Sequence, residues 1–304
     1  MKIKQKIVVI LGQTSTGKSD FAVEIAKQIN GEIISADSRQ VYKGMDLGTG
    51  KITKKEMKDI PHYMLDVVSP KKVFSVSDFQ KLANKKIKEI IKKGMIPIIC
   101  GGTGFYIDAI INENIFPEVK PNKELRLELY LLDAIALSRY LEKLDPERLK
   151  TIDKNNKVRL VRAIEIAKAL GKVPSLGHKP RLGPKLEVLK IGLTLPPEIL
   201  KERIKARLLS RIKKGMVKEV KNLHKSGVSW KRLNSFGLEY RYVSLFLQKK
   251  LSKENMLEKL NTEIWHFAKR QNTWFKRDKS IVWINPLKKD EKIKIFQEIK
   301  KFLK

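Results

Sequence analysis

Apolar residues along this chain come in two alternating rhythms, short unbroken runs and runs spaced three and four apart, as expected of buried strands followed by amphipathic helices. Ile7-Val8-Val9-Ile10-Leu11 predicts a buried strand. Phe21, Ile25 and Ile29 then recur at helical spacing over 20–29, and Asn30-Gly31 closes that helix. Glu32-Ile33-Ile34-Ser35-Ala36 predicts a second strand, 60–68 a loop and short strand, and 77–93 a helix closed by Gly94. Met95-Ile96-Pro97-Ile98-Ile99-Cys100 predicts another buried strand, ending in Gly101-Gly102-Thr103-Gly104 and a helix that opens at Phe105-Tyr106. From 112 to about 184 the strand rhythm stops. Pro117 and Pro121 punctuate helical segments near 123–132, 134–144 and 155–170, with Asp145-Pro146 as a break and Gly171 as a stop. A basic return loop at 176–184 leads to a β-rich run at 187–195. Pro196-Pro197 then opens a helix expected to continue to about 225. A last strand at 280–285 and an amphipathic helix at 291–303 close the chain.

Between the first strand and the first helix stands Gly12-Gln13-Thr14-Ser15-Thr16-Gly17-Lys18-Ser19, a complete G-x-x-x-x-G-K-[ST] P-loop in the strand-to-helix context the motif requires. Its glycines let backbone N–H groups turn inward as an anion nest, and the helix N-terminus adds its dipole. Lys18 supplies a point charge for phosphate oxygens, and the Ser19 hydroxyl is placed to bind Mg²⁺. Strands alternating with helices around such a loop predict an α/β fold, a P-loop NTPase-like parallel sheet with helices on both faces. The strand-free stretch predicts an inserted all-helical subdomain at 112–184, leaving 1–111 and 185–304 as the core domain. Asp37, at the C-terminal end of the second strand, lies on the edge where open α/β sheets bind ligands. Its position suits proton transfer or metal support, and equally the capping of a turn. Thr103 faces the same edge from the second glycine-rich turn, as a phosphate or base contact or as a helix N-cap. No acidic residue ends the 95–100 strand, where many P-loop ATPases hold a Walker-B Asp, which disfavours motors and switches.

Charge changes the picture more than composition does. A net charge of +32, from 65 Lys+Arg against 33 Asp+Glu, matches the footprint of a nucleic-acid binder, although a lysine-rich composition would also produce it. Arg203, Arg207 and Arg211 share one helix face, either for phosphate or as a solvated face paired with Glu202 and Glu219. The segment 264–277 interleaves aromatic and basic residues, with Lys269 and Lys276, and Arg270 and Arg277, seven apart; that basic face suits an RNA backbone. A lone Cys100 excludes a disulfide framework and any Cys-based zinc site, and no run approaches a membrane span. The expectation is a soluble cytoplasmic protein.

Several motifs in order resemble the tRNA dimethylallyltransferases (tRNA isopentenyltransferases) over essentially the whole chain. They are the P-loop, Ser35-Ala36-Asp37-Ser38-Arg39-Gln40-Val41-Tyr42 with Met45-Asp46-Leu47-Gly48-Thr49, Pro61-His62-Tyr63, Gly101-Gly102-Thr103, Arg159-Leu160-Val161-Arg162-Ala163-Ile164-Glu165, Gly215 with Glu219-Val220, and Ala268-Lys269-Arg270-Gln271-Asn272-Thr273-Trp274. The resemblance implies transfer of a dimethylallyl group from its diphosphate to N6 of the adenosine 3′ of the tRNA anticodon, with Mg²⁺ as cofactor. It implies that residues 12–19 grip the prenyl diphosphate rather than ATP, that Asp37 is the general base, and that Thr103 and Arg207 stabilise the departing diphosphate. Ser38, Arg39 and Gln40 match positions that hold the target base, and Arg126, Val158, Arg159, Leu160, Val161, Arg162, Lys269, Arg270 and Arg277 match tRNA-contacting regions. A compact monomeric bacterial form with no obligate protein partner is implied. A free-adenylate isopentenyltransferase and a P-loop nucleotide kinase are the competing readings. Two positions depart from the family's pattern: Arg211 stands where Met is frequent, and Gly237-Leu238-Glu239-Tyr240-Arg241 replaces the usual Gly-Tyr-Lys/Arg.

Overall fold

The unbroken apolar runs are unbroken because they are buried on both sides. In the computed structural model, which describes residues 5–112, 114, 116–174 and 186–304, β1 (Gln5–Gly12) sends Ile7, Val9 and Leu11 into one core and Val8 and Ile10 into another. α1 (Lys18–Ile29) follows the P-loop and ends at Asn30, left-handed at φ 51°, so that Gly31 already opens β2 (Gly31–Ser35). After a long loop come α2 (Lys54–Met57), β3 (His62–Tyr63), and α3 (Val76–Lys92), whose N-terminus is a Ser75/Asp78 capping box. β4 (Ile96–Gly101) and α4 (Gly104–Ile111) complete the first half.

Four helices follow: α5 (Lys123–Leu131), α6 (Ala134–Leu144), α7 (Pro146–Thr151) and α8 (Lys157–Leu170). They enclose their own core of Leu125, Leu129, Leu137, Leu141, Leu160 and Ile164. The Asp145-Pro146 break is in fact the start of α7. Asp145 caps it by accepting from the Arg148 N–H, and Pro146 occupies the first turn, where its missing N–H costs nothing.

The chain returns as β5 (Leu186–Leu193), and the basic loop predicted at 176–184 lies outside the described residues. The long helix expected to reach 225 is two helices, α9 (Pro197–Lys213) and α10 (Met216–Lys225), parted by Gly215 at φ 103°, a conformation that only glycine adopts without strain. Between 226 and 263, where the pattern predicts no element, stand α11 (Trp230–Phe236), α12 (Leu238–Leu247) and the first half of α13 (Lys253–Phe275). β6 (Val282–Ile284) and α14 (Lys289–Leu303) end the chain.

All six strands are parallel, in the order β3-β2-β4-β1-β5-β6, with Val8 paired to Ile98 on one side and Leu189 on the other. α1 and α14 cover one face through Phe21, Ile25, Ile295 and Ile299. α3, α4 and the α9 to α13 series cover the other. The chain leaves β1 for β2, with β4 between them, so the C-terminal ends of β1, β2 and β4 border one crevice, the place where such sheets bind ligands. Two compact units result, one within Met1–Asn112 and Arg181–Lys304, the other within Glu113–Pro180. Among the described residues no helix is long and apolar enough to cross a membrane.

Candidate active site

Gly12 ends β1 at φ 138° and lies so close to β5 that a Cβ there would come 2.4 Å from the Leu193 carbonyl oxygen. The loop then winds over its own carbonyl. Gln13 O accepts from Thr16 Oγ1 at 2.8 Å and from Lys18 Nζ at 2.5 Å, and Gln13 Nε2 donates to Ala268 O at 3.2 Å. Gln13 and Thr16 are buried, so their side chains shape the loop. No side chain caps α1, whose first N–H groups therefore remain available at its positive end. Burial of the ammonium pulls the Lys18 pKa down to about 8; nearby Arg207 lowers it further, while Cys100 and Asp37 oppose the fall. Burial pushes the Cys100 thiol up to about 12, so it stays a neutral core group.

Asp37 stands two residues beyond the end of β2 and lines the cavity. Oδ1 accepts from the backbone N–H of Arg39 at 2.8 Å and of Gln40 at 3.3 Å, capping the turn. Oδ2 has no partner among the described residues. Thr103 does not cap α4; its hydroxyl oxygen accepts from the Ser38 N–H at 3.1 Å and thereby ties the β4 end to the β2 end. Arg39 donates to Phe236 O at 2.8 Å with its guanidinium over the Phe236 ring, and Gln40 Oε1 accepts from Ser35 Oγ at 3.1 Å. These two side chains brace the loop. A cavity of about 490 Å³ joins Thr14, Gly17, Lys18 and Ser19 to Asp37, Gln40, Gly102 and the arginines of α9.

Those arginines are not a solvated face. Arg203, Arg207 and Arg211 all line the cavity, and Arg211 is buried and ion-paired with Glu239 at 2.9 Å, while Glu219 turns away to bind backbone. Arg207 Nη2 donates to Gly50 O at 3.0 Å. Its pKa is drawn down by burial first and by Arg211 second.

The segment 264–277 divides its labour. Lys269 and Arg270 are exposed on α13. Arg277 is exposed as well but lies beyond the C-cap Lys276, so the seven-residue repeat from Arg270 does not place it on the same helix face; it packs over Trp274 at 5.5 Å. Gln271 was legible only as part of a motif, yet it belongs to the site. Its Oε1 accepts from the Thr14 N–H at 2.7 Å and its Nε2 donates to Gly102 O at 2.9 Å, stapling the two glycine-rich turns together. The available signal is its place on an apolar stripe, Ile264, Ala268, Gln271, Phe275, where a lone amide demands partners. A Cβ on Gly102 would lie 2.2 Å from that amide, which explains the glycine. His62 is half-buried with Nδ1 2.8 Å from Ile60 O, and burial holds its pKa below the ordinary value, as in a packed histidine.

In the helical unit, Glu165 is buried and accepts from Arg126 Nε at 3.0 Å, Arg126 Nη2 at 2.9 Å, the Asn122 N–H at 2.6 Å and Arg162 Nη1. Arg162 also donates to Val119 O at 2.9 Å. Leu160 and Val161 are core residues of this unit, so their side chains cannot meet RNA; Val158 and Arg159 are exposed, and Arg159 has no side-chain partner among the described residues. The expectation for 158–162 is thereby corrected to the exposed face of α8.

A model of the IPP transferase family matches residues 40–278. Relatives include tRNA dimethylallyltransferase 2 of Treponema denticola, 45% identical over 285 residues that cover 93% of this chain and 95% of that one. The tRNA dimethylallyltransferase of Thermoanaerobacter sp. strain X514 is 44% identical and covered to 91% on both sides. Among solved structures, the full-length tRNA isopentenylpyrophosphate transferase of Bacillus halodurans superposes with a TM-score of 0.75 at 34% identity, covering 99% of this chain and 97% of that one. A eukaryotic dimethylallyltransferase described as acting on tRNA gives 0.78 at 26% identity, over 93% of this chain and 75% of that one.

Proposed function

This chain belongs to the IPP transferase family, and we propose that it transfers the dimethylallyl group of dimethylallyl diphosphate to N6 of the adenosine immediately 3′ of the anticodon in tRNA. One observation carries the reading: a phosphate-type loop and a carboxylate at a neighbouring strand end, Lys18 and Asp37, line one cavity. The exocyclic amine of adenine is a poor nucleophile, and Asp37 Oδ2 accepts its proton as the new N–C bond forms. Such a base contributes about 10²–10⁴-fold. As the allylic C–O bond breaks, charge accumulates on the diphosphate. The N–H groups of residues 13 and 15–19, Lys18, Arg207 and the Thr103 hydroxyl would receive it, each well-placed donor contributing on the order of 3 kcal/mol. The Thr14 N–H is already committed to Gln271.

Among the described residues no group of three or more His, Cys, Asp or Glu could hold a metal. The Ser19 hydroxyl, a hard oxygen donor exposed at the start of α1, fits Mg²⁺ and would be its protein ligand. When bound, the cation neutralises diphosphate charge. The target adenosine must leave its stack, a cost of a few kcal/mol that a loop nucleotide reduces. Asp37 and Gln40 line the cavity that would receive it, with Ser38 and Arg39 next to them in the chain. The proposed tRNA contacts are Arg126, Val158, Arg159 and Arg162 in the helical unit and, separately, Lys269, Arg270 and Arg277 in the core unit, in a monomer working in the cytoplasm.

Protein incubated with Mg²⁺ and radiolabelled dimethylallyl diphosphate, offered unmodified tRNA and AMP in parallel, should label tRNA alone. Label in AMP would replace this reading with a free-adenylate transferase. For tRNA binding the clean probe is Arg159→Ala, because Arg162 is committed to Glu165. Loss of one phosphate contact should reduce the slope of log affinity against log salt by about 1, with the KM for dimethylallyl diphosphate unchanged. An unchanged slope would remove Arg159 from the RNA interface.

A further inference from the structure

The loop after β2 is built around an anion that the protein itself supplies. Three successive backbone N–H groups converge on the Glu219 carboxylate, those of Asp46 and Leu47 on Oε2 at 3.0 and 2.6 Å and that of Gly48 on Oε1 at 3.0 Å. The buried Tyr240 donates its hydroxyl to Oε1 at 2.8 Å and presses its ring on Gly48, where a Cβ would lie 2.5 Å from it. A nest of this kind is where proteins bind phosphate, and its occupation by a side chain makes it a structural clamp. From α9, Arg211 Nη1 donates to the carbonyls of Leu47 at 3.2 Å and Gly48 at 3.1 Å, while Nη2 pairs with Glu239 on α12. Arg211, one departure from the family's pattern, is therefore joined in a buried ion pair to Glu239, which lies within the other, the 237–241 stretch.

The same loop lines the cavity at Asp46, Leu47, Thr49 and Gly50. Gly50, at φ 61°, offers its carbonyl to Arg207, and a Cβ there would come 2.2 Å from Arg207 Nη2, so the guanidinium lies against the backbone. Arg207 and Arg211 are one helical turn apart and repel; Glu239 neutralises the second and leaves the charge of the first directed at the cavity. We propose that Glu219 and the Arg211–Glu239 pair are positioning residues, clamping the 46–50 loop so that its Gly50 carbonyl aims Arg207 at the diphosphate, and that Arg211 is not itself a phosphate ligand. The inference rests on the assignment of Arg207 to the diphosphate in the proposed reaction.

The test is a double-mutant cycle. Glu219→Gln and Arg211→Met are each made in the native protein and in an Arg207→Ala background, with binding of inorganic diphosphate measured by calorimetry and kcat/KM for dimethylallyl diphosphate at saturating tRNA. In the native background each should lose about tenfold in both quantities, with tRNA affinity unchanged; in the Arg207→Ala background each should lose less than about twofold. Thermal melting identifies any variant that is not folded, and Tyr240→Phe, which removes one hydroxyl from the clamp, then takes its place in the cycle. Equal losses in both backgrounds would overturn the proposal, for Glu219 as mere fold support and for Arg211 as a direct phosphate ligand. Native protein that does not bind diphosphate at all would overturn the reading of the site instead, and this inference with it.

Discussion

Asp37→Asn should bind tRNA as the native protein does and turn over between about one hundredth and one ten-thousandth as fast. The geometry makes this substitution unusually clean. Oδ1 of Asp37 caps the turn by accepting from the Arg39 and Gln40 N–H groups, and the Asn oxygen can make both bonds. The loop, the Ser38 contact with Thr103 and the Arg39 brace on Phe236 therefore survive. What changes is the second oxygen, the one without a protein partner, which becomes an N–H₂ unable to take a proton. Single-turnover transfer of label to tRNA reads the chemistry, and filter binding reads affinity. Near-native turnover would remove Asp37 as the base; lost affinity with preserved single-turnover chemistry would make it a binding residue.

The sequence carried the sheet and the phosphate loop because both are local. A run such as Ile7 to Leu11 is buried on two faces wherever it sits in the sheet, and a P-loop is complete in eight residues. What it could not carry depends on partners far away in the chain. Asp37 reads equally as a cap and as a base until Thr103 and the P-loop are seen beside it, 66 and about 20 residues away in sequence. Arg203, Arg207 and Arg211 share a face by simple periodicity, yet whether that face meets water or a cavity is decided by Glu239 and by the 46–50 loop. Gln271 makes its bonds across 257 and 169 residues. Leu160 and Val161 were assigned by motif to RNA contact, and only the packing of α8 on α6 shows them to be core. The break at Gly215 is a single backbone angle that helical periodicity does not see.

Lys18→Met should lower kcat/KM for dimethylallyl diphosphate by about 10²–10³-fold, the size of losing one preorganised donor to a developing oxyanion, with tRNA affinity unaffected. Met keeps the stem's packing but removes the bond to Gln13 O and the cation of the P-loop. The native protein should also show a pH signature that this variant lacks. Burial holds free Lys18 near 8, so below that pH it is charged, and above it the neutral amine prevails. A diphosphate favours the charged form, so the complex has the higher pKa and binding takes up a proton once the pH passes about 8. Affinity for dimethylallyl diphosphate, measured without tRNA, should therefore be level from pH 7 to 8 and then fall by up to about tenfold per pH unit until the pKa of the complex is reached. The ligand's own phosphates do not confuse the reading, since a singly esterified phosphate group loses its last proton at about pH 6. Calorimetry in buffers of different ionisation enthalpy counts the proton directly. Asp37→Asn should keep most of the slope and Lys18→Met should abolish it; affinity that stays level above pH 8 in the native protein would mean that Lys18 is not the cation the diphosphate meets.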